Sequence, residues 1–357
     1  MKPPGPGYQV GVAGGASLLG QELLRVLKER EFPVSRLVTF EAEEEEPDLP
    51  IVDPASHLEA EAASKEVPAT ELDFIFLAAR PRSASGLSPL LLPALEAARR
   101  SAPDQVPHCV VIDMAETLGE SAGETPAAIC RIPFLERAER AAQPSPHAKL
   151  FISMHPAAIA LSAVTLRLGA CFPLASVVAQ IFFPASELGP RAIDELQKQT
   201  TSLLSFQPIP QKTFGAQLAF NLLAHLGGKR DSDRTALECR IRNQVRQYMA
   251  GRAPLPALKL TQVPVFYSLA FSIYVETRQP AAPEALEAAL AGEHIRVRRR
   301  GDSAPSPVDA AGSGDILVDS VTPDPAHPAG AWIWAAVDNL RLAAENAVEI
   351  AQNLVKR

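Results

Sequence analysis

Short apolar runs alternate with helical patterns through the first half of the chain. Residues 8–12 read as a buried strand, and 18–27 as a helix carrying apolar residues at Leu19, Leu23, Leu24, Val26 and Leu27. A second strand is predicted over 36–40, and further apolar runs follow at 74–78, 109–112 and 150–153. Helical composition falls at 90–98 and 156–168, where Pro156 suits the first helical position because its missing N–H would be unpaired there anyway. Strands that are apolar throughout, separated by helices, predict a parallel, doubly wound sheet covered on both faces.

The pattern then changes. Stretches 174–183 and 263–276 are long, β-branched or alternating, and predict strands of a more antiparallel sheet, with helices near 192–204 and 235–249. Residues 298–314 form a polar Pro/Gly/Ser stretch and read as a loop. Short strands at 317–318 and 332–337 and a helix over 340–355 close the chain, and no internal repeat is present. The fold class is α/β, a Rossmann-like N-terminal part followed by an α+β part.

Composition narrows the function. At 357 residues the chain is long enough for two domains, taking about 150 residues for each. The net charge of −7 argues against nucleic acid as the partner. No stretch approaches the roughly 18 apolar residues of a membrane span, and the opening MKPPGPG has no leader pattern. Cys109, Cys130, Cys171 and Cys239 are widely spaced, as expected of reduced thiols in a cytoplasmic protein, and no group has metal-ligand spacing.

One motif carries nucleotide chemistry. Between the first strand and helix, Gly14, Gly15, Ala16, Ser17, Leu18, Leu19 and Gly20 occupy the place of a phosphate loop, where glycines permit a tight turn and the helix N-terminus meets a pyrophosphate. Ser17 stands where the middle glycine of a strict fingerprint would be. Glu41, 21 residues beyond Gly20, lies where an acid would hold a ribose 2′-hydroxyl and repel a 2′-phosphate, so NAD is favoured over NADP if either binds. Glu41 also begins an acidic run, 41–46, that reads equally well as a solvated loop, and absence of any cofactor is as well supported.

The segments GGASLLGQELL, VVIDMAE, SMHPAAIAL, LECRIRNQVRQYM, VPVFYSLAFSIYVE and AAVDNLRLAAENAVEIAQ, in this order and spacing, resemble the aspartate-semialdehyde dehydrogenase family. In character the chain is closest to the Usg-type paralogues, which lack the catalytic cysteine. The resemblance implies a dinucleotide-binding domain over 1–155 plus 333–357, a dimerisation and substrate domain over 156–332, and a homodimer. It adds Ala78 and Asn339 to the positions around a nucleotide.

Family members reductively dephosphorylate an acyl phosphate with NADPH through a thioester on a cysteine that opens a helix, where the dipole favours the thiolate. Here the matching position is Pro156, within His155-Pro156-Ala157-Ala158. The family's histidine base falls on Leu269 and its substrate-binding arginine on Gln262; neither can carry a proton or a fixed charge at neutral pH. The arginine expected soon after Asp113 is missing from Met114-Ala115-Glu116-Thr117-Leu118-Gly119. Glu238 and Arg240 match the Glu-x-Lys pair that binds substrate, though an amphipathic helix surface explains them as well.

Substitutes are few. Cys171 lies about four helical turns past Pro156, Cys109 and Cys130 read as small buried hydrophobes, and His225 and His327 read as surface or loop residues. His155, Ser153, Ser268 and Tyr267 are the remaining polar candidates. Three readings follow: a catalytically inactive homologue keeping the fold and dimer, an active NAD-dependent oxidoreductase without a cysteine, or a structural dimer with no small-molecule ligand.

Overall fold

A computed structural model describes residues 7–40, 61–62, 71–79, 109–115, 128–139, 148–224 and 231–355. They divide into two compact units, Met1–Met154 with Ala343–Arg357, and His155–Leu342.

In the first unit, β1 (Tyr8–Ala13), β2 (Val34–Phe40), β3 (Glu61–Ala62), β4 (Phe74–Leu77), β5 (Val110–Asp113), β6 (Ile129–Arg131) and β7 (Leu150–Ser153) form one sheet in the order β3-β2-β1-β4-β5-β7-β6. Every pairing is parallel. Such a sheet needs cover on both faces, and β4, β5 and β7 are buried at every residue. Alternate residues divide between two cores. Val10, Val12, Phe74, Phe76, Val110, Ile112 and Phe151 share one with Leu23, Val26 and Leu27 of helix α1 (Leu18–Glu29) and with Ala344, Ala347, Val348 and Ala351. Val38, Phe40, Ile75, Leu77 and Val111 make the other. Each fully buried large side chain contributes about 1.5–3 kcal/mol. Helix α2 (Pro133–Glu139) follows β6, where the buried Arg131 pairs with Glu136.

The second unit opens with helix α3 (Pro156–Cys171), buried along nearly its whole length. It continues through β8 (Leu174–Phe183), a 3-10 turn (Ala185–Leu188), α4 (Pro190–Leu204), α5 (Asp231–Met249), β9 (Ala257–Gln262) and β10 (Leu269–Thr277). Next come α6 (Pro283–Leu290), β11 (Ile295–Val297), α7 (Pro307–Ala310), β12 (Ile316–Val318), β13 (Thr322–Pro323), β14 (Gly330–Val337) and the first residues of α8 (Asn339–Val355). The mixed sheet has the order β11-β12-β14-β10-β8-β9, with β13 on β14. Phe271, Ile273 and Val275 of β10 point into the core beside Ala179, Ile181, Ile333 and Ala335. The opposite face carries Val178, Phe182, Tyr274, Trp332 and Trp334; Val178 is 49% and Trp332 46% exposed.

Three expectations need correction. Residues 263–276 are not one strand: β9 ends at Gln262 and β10 begins at Leu269. Pro264 cannot donate to a ladder, and Ser268 has φ +73, outside the strand region. The polar stretch 298–314 contains α7, nucleated by a capping box in which Ser306 and Asp309 satisfy each other's backbone N–H. The return to the first unit comes at 343 rather than 333, because β14 pairs along its length with β10. The predicted helix at 90–98 lies outside the described residues. Among the described residues no helix is long and apolar enough to cross a membrane.

Candidate functional site

The loop from β1 to α1 sits at the point where strand order reverses, between β1 and its neighbour β4, the usual position of a nucleotide crevice in open α/β sheets. Gly14 has φ +79, and a Cβ there would lie 2.2 Å from the Cβ of Ala79; a Cβ on Gly20 would lie 2.1 Å from the Gly14 carbonyl oxygen. Both positions require glycine for the packing of the loop itself. Ser17 does not: with φ −68 and ψ 160 it is an ordinary extended N-cap. Its Oγ accepts from the Gly20 N–H at 3.0 Å and donates to the Ala78 carbonyl at 3.0 Å, joining the loops that follow β1 and β4. Leu18 and Leu19 supply the first-turn amides beyond the cap, and Ala16 is exposed.

The structure thus brings Gly14, Ala16, Ser17, Leu18, Leu19, Gly20 and Ala78 together. Glu41 lies outside the described residues, as do His225 and residues 116–119. Asn339 belongs to the second unit, where its carboxamide engages Ser186 Oγ and accepts from the Ser268 N–H at 3.1 Å.

In the second unit, α3 begins on Pro156, which has no N–H to offer an oxyanion. His155 is the N-cap. Its Nδ1 accepts from the Ala157 N–H at 3.0 Å, which fixes the neutral ring as the Nε2–H tautomer, and Nε2 faces Glu187 Oε2 at 3.3 Å. The ring stacks on Phe183 at 5.8 Å, and the His155 N–H donates to Gln244 Oε1 at 2.8 Å. Both ring nitrogens are engaged, so this histidine has no lone pair free to take a substrate proton.

Gln262 is fully buried at the end of β9 and donates from Nε2 to the Phe183 carbonyl at 3.0 Å, so it and His155 meet on the same residue. Leu269 is also fully buried, next to Ser268, whose Oγ is buried without a hydrogen-bond partner. Glu238 is buried too, contrary to a helix-surface reading. It accepts from the Leu260 N–H at 3.1 Å and pairs with Lys259 at 3.6 Å, tying α5 to β9, whereas Arg240 is half-buried. Tyr267 is partly exposed, and burial with the nearby Asp338 carboxylate pushes its phenol up, away from the range useful for proton transfer at neutral pH.

Cys109 and Cys130 are buried and Cys171 exposed. Burial, reinforced by Asp73 and opposed by Lys149, pushes the Cys109 thiol up to about 12. His327 is exposed, and Ser153 Oγ donates to the Ala343 carbonyl at 3.2 Å. Sequence reasoning missed Phe183, Ser186, Glu187 and Gln244. Glu187 left one trace, as an acid in a short turn between Pro184 and Pro190.

Residues 168–342 match the family described as semialdehyde dehydrogenase, dimerisation domain, so the chain carries that domain, and the match supports a homodimer. Over its length the chain is similar to proteins named aspartate-semialdehyde dehydrogenase and USG-1 protein homolog. It is 33% identical to aspartate-semialdehyde dehydrogenase 2 of Vibrio cholerae over 173 residues, a match spanning 48% of this chain and 51% of that relative, about half its length. Against the USG-1 protein homolog of Azotobacter vinelandii it is 26% identical over 99% of both chains. The crystal structure of aspartate semialdehyde dehydrogenase II from Vibrio cholerae shares the fold, with a TM-score of 0.79 at 24% identity over 98% of this chain and 99% of that one.

Proposed function

We propose that this chain is a catalytically inactive homologue of aspartate-semialdehyde dehydrogenase, which keeps the fold and the homodimer and acts by binding rather than by turnover. The start of α3 carries the proposal. Pro156 stands at the nucleophile position, and the His155 ring takes the Ala157 amide that a thiolate or oxyanion would use. Gln262 and Leu269 supply neither a charge nor a proton at the other two positions. The dimer reading is supported by the open face of the mixed sheet, where Val178, Tyr274 and Trp332 form an apolar surface suited to a second copy.

An oxidoreductase without cysteine is less well supported, because the ring nitrogens of His155 are engaged and the Tyr267 phenol is pushed up. A dimer with no small-molecule ligand gains from the closed state of the β1–α1 loop. For a nucleotide in that loop, NAD rather than NADP is the form Glu41 favours, and occupancy turns on Ser17.

The test is phosphate-dependent oxidation of aspartate semialdehyde with NADP or NAD, followed by cofactor absorbance. No turnover is expected, and a kcat above about 1 s⁻¹, ordinary for an enzyme, would refute the proposal. Pro156→Cys alone should also stay inactive, since Gln262 and Leu269 remain.

A further inference from the structure

The family to which this chain is similar implies a dinucleotide, and the β1–α1 loop is where one would be held. Two physical requirements define that place. The first turn of the helix must offer unpaired N–H groups, and the middle residue of the loop must let a pyrophosphate approach the backbone. The loop as folded meets neither in full. The Gly20 amide already donates to Ser17 Oγ, and the Ser17 amide donates to the Gly14 carbonyl at 3.0 Å. The Ser17 hydroxyl also bridges to the Ala78 carbonyl, across the two loops between which the crevice would open. An oxygen accepting from the third helical amide stands where an anion's oxygen would stand.

We propose that Ser17 is a built-in substitute for the pyrophosphate: its hydroxyl closes the β1–β4 crevice from within and excludes NAD and NADP at micromolar concentration. The inference concerns binding and does not depend on whether the chain turns over. Other features of the loop are permissive. Gly14 and Gly20 persist where a Cβ would collide, α1 is a full helix of 12 residues, and the amides of Leu18 and Leu19 remain beyond the cap. One side chain therefore separates this loop from one able to receive a dinucleotide.

The test is titration calorimetry of the purified full-length protein with NAD and with NADP, for wild type, Ser17→Gly and Ser17→Ala. Glycine is a tolerated N-cap, so Ser17→Gly removes the latch while keeping the helix start, which a thermal melt verifies. Wild type is expected to show no saturable binding below about 1 mM, and Ser17→Gly to bind at least one nucleotide about tenfold more tightly or better, a change of about 1.4 kcal/mol. Ser17→Ala removes the hydroxyl but keeps the Cβ, and is expected to gain less than glycine. Micromolar binding by wild type overturns the proposal even if a variant fails to fold. So does a folded Ser17→Gly that binds no more tightly than wild type. Wild type that binds nucleotide yet shows no turnover would overturn this inference and leave the inactive-homologue reading standing.

Discussion

Two helix N-termini matter in this molecule, and each is closed by one of the chain's own side chains in a different way. At α1, Ser17 Oγ takes the Gly20 amide while the glycine frame of the loop persists around it. At α3, His155 Nδ1 takes the Ala157 amide, and Pro156 deletes the N–H before it. The α1 closure is a single hydroxyl that a single substitution removes. The α3 closure is a set: a proline, a histidine held by Glu187, Phe183 and Gln244, and the neutral Gln262 and Leu269. The α1 loop is thus closed by one side chain, whereas thioester chemistry at α3 lacks several groups.

A thiol elsewhere could stand in for the missing nucleophile only if it ionised near neutral pH. The Cys109 pKa is raised to about 12 by burial, above an unfolded value of about 8.5. The folded state therefore holds the proton more tightly. The stability this represents is intact below about pH 8.5 and is lost as pH rises from there toward 12. Urea titrations at pH 8 and pH 10 should differ by about 2 kcal/mol from this residue, and Cys109→Ala should flatten that difference. Alkylation near pH 8 should label the exposed Cys171 and spare Cys109.

A smaller effect tests the α3 closure. His155→Ala removes the cap of α3 and the partner of Glu187, and is expected to cost about 1–2 kcal/mol in urea denaturation. His155→Asn can cap the same helix and should lie within about 1 kcal/mol of wild type. Equal losses for the two would mean that stacking on Phe183, rather than the cap, holds the ring. At α1 the same contrast is gentler: Ser17→Ala should cost about 1 kcal/mol and Ser17→Gly only a few tenths. Smallest of all, Glu22→Gln, which breaks the Glu22–Arg25 pair on the body of α1, should change stability by less than about 0.5 kcal/mol.

Much of the fold was legible because its signals are local. The strand at 150–153 stood out as an apolar run, 174–183 as a long β-branched stretch, and the helix between them as a proline with its fixed φ, and the structure has all three. β9 escaped because its six residues, ALKLTQ, include a lysine and a threonine on the open face, and the more apolar stretch after it drew the strand toward Pro264. The four-residue α7 was hidden inside a polar stretch, although its Ser306–Asp309 capping box was written in the sequence. At the site, the lost positions could be read by resemblance. What replaced them could not, because His155, Phe183, Glu187 and Gln244 meet only in the folded chain. Ser17 shows the same limit: sequence gave its size, and only the fold showed its hydroxyl turned toward Gly20 and Ala78.

The most direct measurement of the central claim, that both helix starts are closed from within, is a crystal structure of the protein grown with submillimolar NAD. The account predicts Ser17 Oγ within hydrogen-bond distance of the Gly20 and Ala78 backbones, His155 Nδ1 on the Ala157 amide, and no pyrophosphate over α1. A dinucleotide seated on the first turn of α1 with the Ser17 side chain displaced would contradict it.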